Sequence, residues 1–459
     1  MSQIDFASLP LQEGLLNNLT SLGYHTMTPI QAQSLPAILA GQDVIGQGKT
    51  GSGKTAAFGL GLLHRLDVAQ FRVQALVLCP TRELADQVAK ELRRLARGIH
   101  NIKVLTLCGG MPLGPQIGSL EHGAHVIVGT PGRIEEHLQK QTLDLGAVNT
   151  VVLDEADRML DMGFQPAVEA IVGRTPKDRQ TLLFSATYPP QIASIASALL
   201  RNPVNVEVAQ SPSNPNIRQR FYRLDNEDRA TAVRLILMEV QPKSSVVFCT
   251  TKRDTDSLAN ELQAHGFAAV ALHGDLDQRD RDQTLVRFSS RSASILVATD
   301  VAARGLDIDN LDLVINVHPA RDSDVHTHRI GRTGRAGSKG LACTLFTEKE
   351  AFKIARLESS LNLAITPSAL PPLKLLEKVP FKPAMATLQI DGGKKQKVRP
   401  GDILGALTGE NGITGDQVGK IQIFEHYAYV AVDRDAARQA LKKLGEGKLK
   451  GRSFRVRRV

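Results

Sequence analysis

Three short stretches of this 459-residue chain carry side chains that could act together on a phosphate anhydride. The first is Gly48-Lys-Thr-Gly-Ser-Gly-Lys-Thr55, which fits the pattern G-x-x-x-x-G-K-[ST]. It follows the apolar run DVIG and precedes AAFGLGLLHRL, a helical stretch, so it sits where a phosphate-cradling loop belongs. Gly48, Gly51 and Gly53 let backbone N–H groups, with those of Thr50 and Ser52, wrap phosphate oxygens. Lys54 brings charge to the outer phosphates, Thr55 offers a hydroxyl to a magnesium ion, and the helix N-terminus favours the anion. A glycine-rich turn without function is the competing reading, and the strand-loop-helix context argues against it.

The second stretch is TVVLDEAD, which places Asp154 and Glu155 at the carboxyl end of an apolar run, where ligands of open α/β sheets bind. Magnesium takes oxygen ligands, so Asp154 is a candidate to hold it, directly or through water, and Glu155 to orient or deprotonate an attacking water. Acidic turns after strands are common, and the phosphate loop upstream is what gives this one meaning. The third stretch is His328-Arg-Ile-Gly-Arg-Thr-Gly-Arg335. A helical turn there would direct Arg332 and Arg335 to one side. An arginine delivered to a terminal phosphate contributes about 10³ to 10⁵ in rate. A basic loop serving solubility or RNA contact is the alternative.

These residues need elements to hold them. Between Gln33 and Pro203, Val-, Ile- and Leu-rich runs (VIGQ, ALVLC, VLTLC, VIVG, VVLDE, TLLFSAT) alternate with helical stretches such as ELADQVAKELRRLA. That alternation predicts a parallel sheet covered by helices. The rhythm returns after Arg218 with FYRL, SVVFCT, AAVALHG, SILVATD, LVINV and ACTLF. The expected organisation is a domain over 1–209, a polar hinge over 210–217, a second domain over 218–363, a proline-rich linker over 364–383 and a tail over 384–459. The tail reads strand, helix, strand, strand, helix, strand. That βαββαβ order is the order of an RNA-recognition-motif (RRM) fold, a small α+β domain, but a generic ferredoxin-like domain gives the same string, so the order alone does not establish RNA binding.

The net charge of +9 is unevenly spread: from Phe381 onward sixteen Lys and Arg face eight Asp and Glu. Nearly all the excess therefore lies on the tail, as in a nucleic-acid-binding module or, more blandly, a solvated basic face. Cys79, Cys108, Cys249 and Cys343 lie far apart in apolar stretches with no CxxC pair, which predicts buried thiols in a reducing compartment and no zinc site. The N-terminus MSQIDFASLP has no signal-peptide character, and no apolar run approaches a membrane span. A cytoplasmic monomer without membrane association is expected.

Taken in order, MTPIQ, GKTGSGKT, PTRELA, Gly109-Gly110, TPGR, DEAD, SAT, VVFC, HGDLDQRDR, ATDVAARGLD and HRIGRTGR over residues 6 to 340 resemble a complete DEAD-box RNA helicase core. The resemblance implies two tandem RecA-like parallel-sheet domains ahead of the small α+β RRM-like tail, with ATP and Mg2+ as cofactors. It implies that Gln31, with Phe6 stacked nearby, reads adenine and that Asp307 approaches the ribose. It implies RNA backbone contacts from Pro80, Thr81, Arg82, Gly110, Thr130, Gly132 and Arg133 in the first domain. Thr250, Gly274, Gln278, Arg281 and Thr299 take that role in the second. Ser185 and Thr187 would couple ATP binding to strand separation, linking Asp157 with His328. Glycines, hydroxyls and arginines suit recognition of phosphate and 2′-OH without base reading. One departure is visible: the family usually carries alanine where Gly48 stands.

The stretch DGGKKQKVRPGDILGALTGENG with a basic last strand resembles the tail of the DbpA subfamily, bacterial DEAD-box proteins acting on large-subunit ribosomal RNA. That implies as partners a hairpin of this RNA with an adjacent duplex, within pre-ribosomal particles. Read from the residues, Tyr427 and Tyr429 stand at positions where RNA-recognition motifs stack bases, yet Glu425-His426 and Val432 depart from the motif, and the tyrosines equally suit buried strand positions. Lys394, Lys395, Lys397 and Arg399 in the first loop, with Lys448, Lys450, Arg452 and Arg455 around the last strand, offer a more obvious phosphate-binding surface. An RNA-stimulated ATPase driving local, non-processive duplex opening is the expected activity. An ATP-gated RNA clamp without strand separation and a DNA translocase remain as rivals.

Overall fold

The computed structural model describes residues 4–48, 51–208, 216–225, 228–303, 310–334, 339–362 and 364–459. The chain forms two compact units that divide near residue 211. Among the described residues, the first unit holds one seven-stranded sheet. Its strands are β1 (Val44–Gln47), β2 (Ala75–Leu78), β3 (Val104–Leu107), β4 (Val126–Gly129), β5 (Thr150–Asp154), β6 (Gln180–Ser185) and β7 (Val204–Glu207). They lie in the order β3-β4-β2-β5-β6-β1-β7, every pair parallel. Strands β2, β4, β5 and β6 are buried at every position, as strands covered on both faces must be, whereas the edges β3 and β7 are not. Neighbouring residues serve opposite cores: Val77 and Leu182 join one cluster, Leu76 and Leu183 the other.

The second unit contains a six-stranded parallel sheet of β8 (Ile217–Leu224), β9 (Ser245–Cys249), β10 (Ala269–Leu272), β11 (Ile295–Thr299), β12 (Leu313–Asn316) and β13 (Gly340–Thr347), ordered β10-β11-β9-β12-β13-β8. The segment 364–383, expected as a linker, runs along this domain. Leu370, Leu375, Leu376 and Phe381 pack against its core, and Phe381 meets Phe267 edge-on at 5.9 Å. The Ser368 N–H donates to the Phe221 carbonyl at 2.7 Å, and Lys382 Nζ to the Gly266 carbonyl at 2.7 Å.

The tail has the βαββαβ order, with β14 (Met385–Ile390), β15 (Val418–Ile423), β16 (Ala428–Asp433) and β17 (Val456–Arg458) in an antiparallel sheet ordered β15-β16-β14-β17. The helices Pro400–Thr408 and Ala437–Glu446 contribute Ile403, Leu407 and Leu444 to a core with Leu388, Ile390, Val430 and Val432. The opposite sheet face is not open. It lies against the helix Gln278–Ser289 of the preceding domain and the residues just after it. Thr387 Oγ1 is 2.6 Å from Ser292 Oγ, the Tyr427 hydroxyl donates to Asp282 Oδ2 at 3.2 Å, and Gln422 Nε2 donates to Ser289 Oγ at 3.1 Å. The Arg279 guanidinium lies 5.9 Å from the Tyr427 ring centre. Among the described residues, no helix is long and apolar enough to cross a membrane.

Because Thr387 is fully buried in this contact, a lysine there would place an unpaired charge in a dry seam. Thr387→Lys should open the seam, so that trypsin cuts at Lys378 and Lys382 at least about tenfold faster than in the wild-type chain. Equal cutting rates would contradict the packing.

Candidate nucleotide and nucleic-acid site

The adjacent strands β5, β6 and β1 deliver Asp154, Ser185 and Gly48 to one edge of the first sheet, because parallel pairing aligns their carboxyl ends. The Gly48 N–H donates to the Ser185 carbonyl at 3.0 Å. Gly51 and Gly53 have φ of 81° and 96°, a region where a Cβ is costly. Ser52 lies between them, and the helix Lys54–Arg65 begins directly afterwards with Thr55 in its first turn. Lys54 is buried, and its Nζ donates to the Gly48 carbonyl at 2.6 Å, so the ammonium is held against the start of the loop. Thr50 lies outside the described residues, as do Asp307 and Arg335.

Gln31 reaches the loop from the helix Pro29–Leu39. Its Oε1 accepts the Thr28 N–H at 2.9 Å, and its Nε2 donates to the Gly53 carbonyl at 3.1 Å. Thr28 Oγ1 donates to the Ser52 carbonyl at 2.7 Å. Sequence reasoning missed Thr28, although Thr-x-x-Gln ahead of a helix is a capping signal. Phe6, expected to stack near the base, is only 2% exposed and meets Tyr24 edge-on at 6.3 Å. Its N–H donates to the His25 carbonyl at 3.2 Å, so it braces the segment leading to Gln31 from within the core.

Asp154 and Glu155 are both buried. Burial, and next the Glu155 carboxylate, push the Asp154 carboxyl up to about 7 against the pull of Lys54. Glu155 has φ of 53°, a left-handed conformation uncommon outside glycine, and precedes the helix Ala156–Asp161. Its Oε2 is paired with Arg158 Nη1, also buried. Sequence reasoning missed Arg158 as well, although its i+3 spacing from Glu155 was the available signal. Asp154, a buried carboxyl at the end of β5, and Thr55, a hydroxyl in the first turn of the helix after the loop, are oxygen donors of the kind that magnesium carried with phosphates takes. Such sites need only one or two carboxylates, so the lack of a larger metal-ligating cluster among the described residues does not oppose it. Asp157 Oδ2 accepts both the Thr187 N–H at 3.2 Å and its hydroxyl at 3.0 Å, and Ser185 Oγ donates to the Thr187 carbonyl at 2.6 Å.

The edge continues along β2, β4 and β3, which are followed by Pro80–Arg82, Thr130–Arg133 and Gly110. Thr81 Oγ1 accepts the Leu84 N–H at 3.3 Å and caps the helix Arg82–Leu95. Gly110 has φ of 73°, and a Cβ there would come within 1.6 Å of Arg82 Nη1, so only glycine lets the guanidinium lie over this backbone. A Cβ on Gly132 would meet nothing within 4 Å, which leaves that backbone open. Arg133 Nη1 donates to the Met111 carbonyl at 3.0 Å, while its Nε pairs with Glu136 at 3.0 Å.

In the second unit, Thr250, Gly274 and Thr299 stand at or just beyond the carboxyl ends of β9, β10 and β11. Gln278 opens the helix Gln278–Ser289, from which Arg281 Nη2 donates to the Ala302 carbonyl at 3.2 Å. The Ala302 N–H donates to Thr299 Oγ1 at 3.3 Å. His328 lies on the helix Ser323–Ile330. That helix ends before Arg332, so Arg332 sits on the following turn and not on the helical turn expected to carry it. It is buried, and its N–H donates to the Arg329 carbonyl at 3.2 Å.

In the tail, Tyr429 is wholly buried and Tyr427 is engaged by Arg279 and Asp282, so neither ring presents a free stacking face. Burial raises both phenols, that of Tyr429 to about 12. The two basic groups meet instead. The Asp391 N–H donates to the Arg455 carbonyl at 3.0 Å, next to Lys394, Lys395 and Lys397, and Lys450 Nζ pairs with Asp402 Oδ2 at 3.5 Å, next to Arg399. Lys448 and Arg452 flank the same turn before β17. A Cβ on Gly393 would come within 2.3 Å of the Phe424 carbonyl, which accounts for glycine in this loop.

The chain is 54% identical over 445 residues to the ATP-dependent RNA helicase DbpA of Escherichia coli strain K12, covering 96% of each. It belongs to the DbpA family of DEAD-box ATP-dependent RNA helicases. Family models match accordingly: a DEAD/DEAH box helicase over residues 28–195, a helicase conserved C-terminal domain over 228–337 and a DbpA RNA binding domain over 387–458. The DEAD-box helicase CshA of Bacillus cereus is 45% identical over 355 residues, 77% of this chain and 67% of that one. Among solved structures, S. cerevisiae Dbp5 bound to RNA and ADP BeF3 is 29% identical with a TM-score of 0.72, covering 82% of this chain and 100% of that one. Mss116p bound to ssRNA and AMP-PNP is 25% identical with a TM-score of 0.72, covering 82% of each. The two parallel sheets are thus the RecA-like domains of this DbpA-family helicase, and its antiparallel tail is the RNA-binding domain.

A Cβ on Gly48 would approach Ser52 Oγ at 3.1 Å and Ile30 at 3.7 Å, side-chain atoms that can shift, whereas one on Gly53 would come 2.5 Å from Gln31 Nε2 at positive φ. Gly48→Ala should leave labelled-ADP affinity within about threefold, and Gly53→Ala should weaken it more than about tenfold. A carboxyl raised to about 7 by folding stabilises fully below its unfolded value near 4, and that contribution is lost as pH rises through 7. Melting in chelator should therefore show Asp154→Asn gaining on wild type from pH 5 to pH 8; a constant gap would contradict the burial of that charge.

Proposed function

We propose that this helicase couples RNA-stimulated ATP hydrolysis to local, non-processive opening of RNA duplexes, and that its tail directs it to a hairpin of large-subunit ribosomal RNA in maturing ribosomal particles. The placement of Lys54, Asp154 and Glu155 at the same edge of one sheet as Arg82, Gly110 and Thr130 carries the reading. In it the protein works as a monomer in the cytoplasm.

Gln31 reads the adenine edge while Phe6 supports the segment beneath, and Asp307 approaches the ribose. The backbone from Gly48 through Thr50 to Gly53 wraps the phosphates, Lys54 offsets their outer charge, and Thr55 and Asp154 hold magnesium. When bound, magnesium and the nucleotide supply charge neutralisation and the anhydride whose cleavage resets the cycle. Arg158 grips Glu155 at Oε2, and Glu155 takes the proton of the attacking water on Oε1. Arg332 and Arg335 neutralise charge at the terminal phosphate once the lobes close, and Asp157, Ser185, Thr187 and His328 report that closure. Pro80, Thr81, Arg82, Gly110, Thr130, Gly132 and Arg133, with Thr250, Gly274, Gln278, Arg281 and Thr299, grip sugar and phosphate. Such a grip carries no sequence information, so selectivity falls to the tail. With its sheet face covered, the surface available there is the basic one formed by Lys394, Lys395, Lys397, Arg399, Lys448, Lys450, Arg452 and Arg455.

Glu155→Gln should retain ATP and RNA binding while losing at least about a hundredfold in turnover; wild-type rates would refute its role. Phosphate release should rise with a large-subunit ribosomal RNA fragment far more than with random RNA. Equal stimulation by random RNA would sink the targeting, stimulation by single-stranded DNA would point to a DNA translocase, and none at all to an ATP-gated clamp. Replacing Lys394, Lys395, Lys397 and Arg399 by alanine should flatten the slope of log affinity against log salt by about 3, close to one phosphate contact per residue.

A further inference from the structure

Gly110 and Arg133, both assigned above to the RNA backbone, follow different strands, and two side chains outside that assignment tie them together. Gln116 lies on the helix Leu113–Glu121, and His137 lies on the helix Pro131–Gln139, one turn beyond Arg133. The Gln116 amide sits at the junction. Its Oε1 accepts from Arg133 Nη1 at 3.0 Å and from His137 Nε2 at 3.0 Å, and its Nε2 donates to the Cys108 carbonyl at 3.0 Å, two residues before Gly110. His137 is wholly buried, with Nδ1 2.8 Å from Thr142 Oγ1.

The proton positions follow from these partners. An amide whose oxygen receives a guanidinium N–H and whose nitrogen gives to a carbonyl can be oriented only one way. His137 Nε2 must then carry a hydrogen, and Nδ1 accepts the Thr142 hydroxyl in the neutral ring. Burial, and next the Arg133 charge, hold this imidazole below its usual value, which favours that neutral form. Arg133 is held from two more sides. Its Nη1 also donates to the Met111 carbonyl at 3.0 Å, and its Nε pairs with Glu136 Oε2 at 3.0 Å. Nη2, the remaining nitrogen, makes no hydrogen bond among the described residues.

We propose that Gln116 and His137 are positioning residues for RNA: His137 sets the Gln116 amide, and Gln116 holds the Arg133 guanidinium beside the Gly110 turn with Nη2 left for a phosphate oxygen. The proposal rests on the backbone-contact role given above to Arg133. A guanidinium already fixed at two of its nitrogens loses little freedom on binding, which favours the contact. Without the Gln116 oxygen, Arg133 keeps its charge but loses the anchor that ties it to the turn before Gly110.

The test measures the affinity of the full chain, with ADP–beryllium fluoride bound, for a fluorescent oligouridylate, which offers no hairpin to the tail; thermal melting checks folding. Gln116→Met keeps side-chain length and helix propensity and removes the hydrogen bonds. It should weaken RNA binding at least about tenfold. It should also flatten the slope of log affinity against log salt by about 0.7, the share of one phosphate contact on a single strand. Unstimulated phosphate release and the KM for ATP should stay within about twofold of wild type. In an Arg133→Ala chain the same substitution should add less than about twofold, because the group it positions is gone. Wild-type RNA affinity in Gln116→Met, or an equal loss with and without Arg133, overturns the proposal. His137→Gln retains a donor where Nε2 stands, whereas His137→Asn retains only the Nδ1 side. The first should stay within about threefold of wild type and the second should match Gln116→Met. Equal losses in the two mark His137 as a packing residue and overturn its part, and this pair decides if Gln116→Met fails to melt cooperatively. If Arg133→Ala binds RNA as the wild type does, the role of Arg133 is wrong and the positioning falls with it; if it weakens binding while Gln116→Met does not, only the positioning fails.

Discussion

A parallel strand returns to its sheet only by crossing over, so all its strands end on one edge and every loop leaving that edge faces the same space. In the first unit this brings residues as distant in sequence as Gly48, Arg82, Thr130, Asp154 and Ser185 to neighbouring strand ends. The phosphate-loop and acidic candidates follow β1 and β5, with the coupling candidate Ser185 on β6 between them, and the backbone-contact candidates follow β2, β3 and β4, so one sheet edge carries all three sets. The Asp157–Thr187 bonds join the acidic turn to the strand end that borders the phosphate loop. The second sheet repeats the device with Thr250, Gly274 and Thr299.

The tail uses its sheet differently. An exposed antiparallel face with two tyrosines would offer stacking platforms, worth about 1 to 3 kcal/mol per base. Here that face is spent on the domain: Thr387, Tyr427 and Gln422 bond to Ser292, Asp282 and Ser289. The helix that receives it, Gln278–Ser289, also carries Gln278 and Arg281, two of the backbone-contact candidates. Tail and core therefore share an element, and the segment 364–383, held by Phe381 and Lys382, does not act as a loose tether.

How much of this could be read from residues alone depended on whether the signal was local. The phosphate loop, the DEAD turn and the apolar alternation are local patterns, and the two parallel sheets and the βαββαβ tail emerged from them. Contacts between distant segments were not legible. Nothing near Tyr429 says that a helix starting at Gln278 will cover it, and the prolines of 364–383 suggested a linker although Leu370, Leu375, Leu376 and Phe381 were there to pack. Nothing in the sequence near Phe6 says that its ring will be buried edge-on to Tyr24. Arg332 read as helical because the helix end at Ile330 is set by the backbone bonding of Thr333 and Leu311. Arg158 passed as an ordinary charge, since only its buried partner distinguishes it.

The proposed hydrolysis requires Arg332 to act at the terminal phosphate of the bound nucleotide. Fluorine NMR of ADP–beryllium fluoride bound to the full chain with RNA observes that position directly. The account predicts that Arg332→Lys shifts the resonances of the bound fluorines. A spectrum unchanged by this substitution, with nucleotide and RNA still bound, would contradict it.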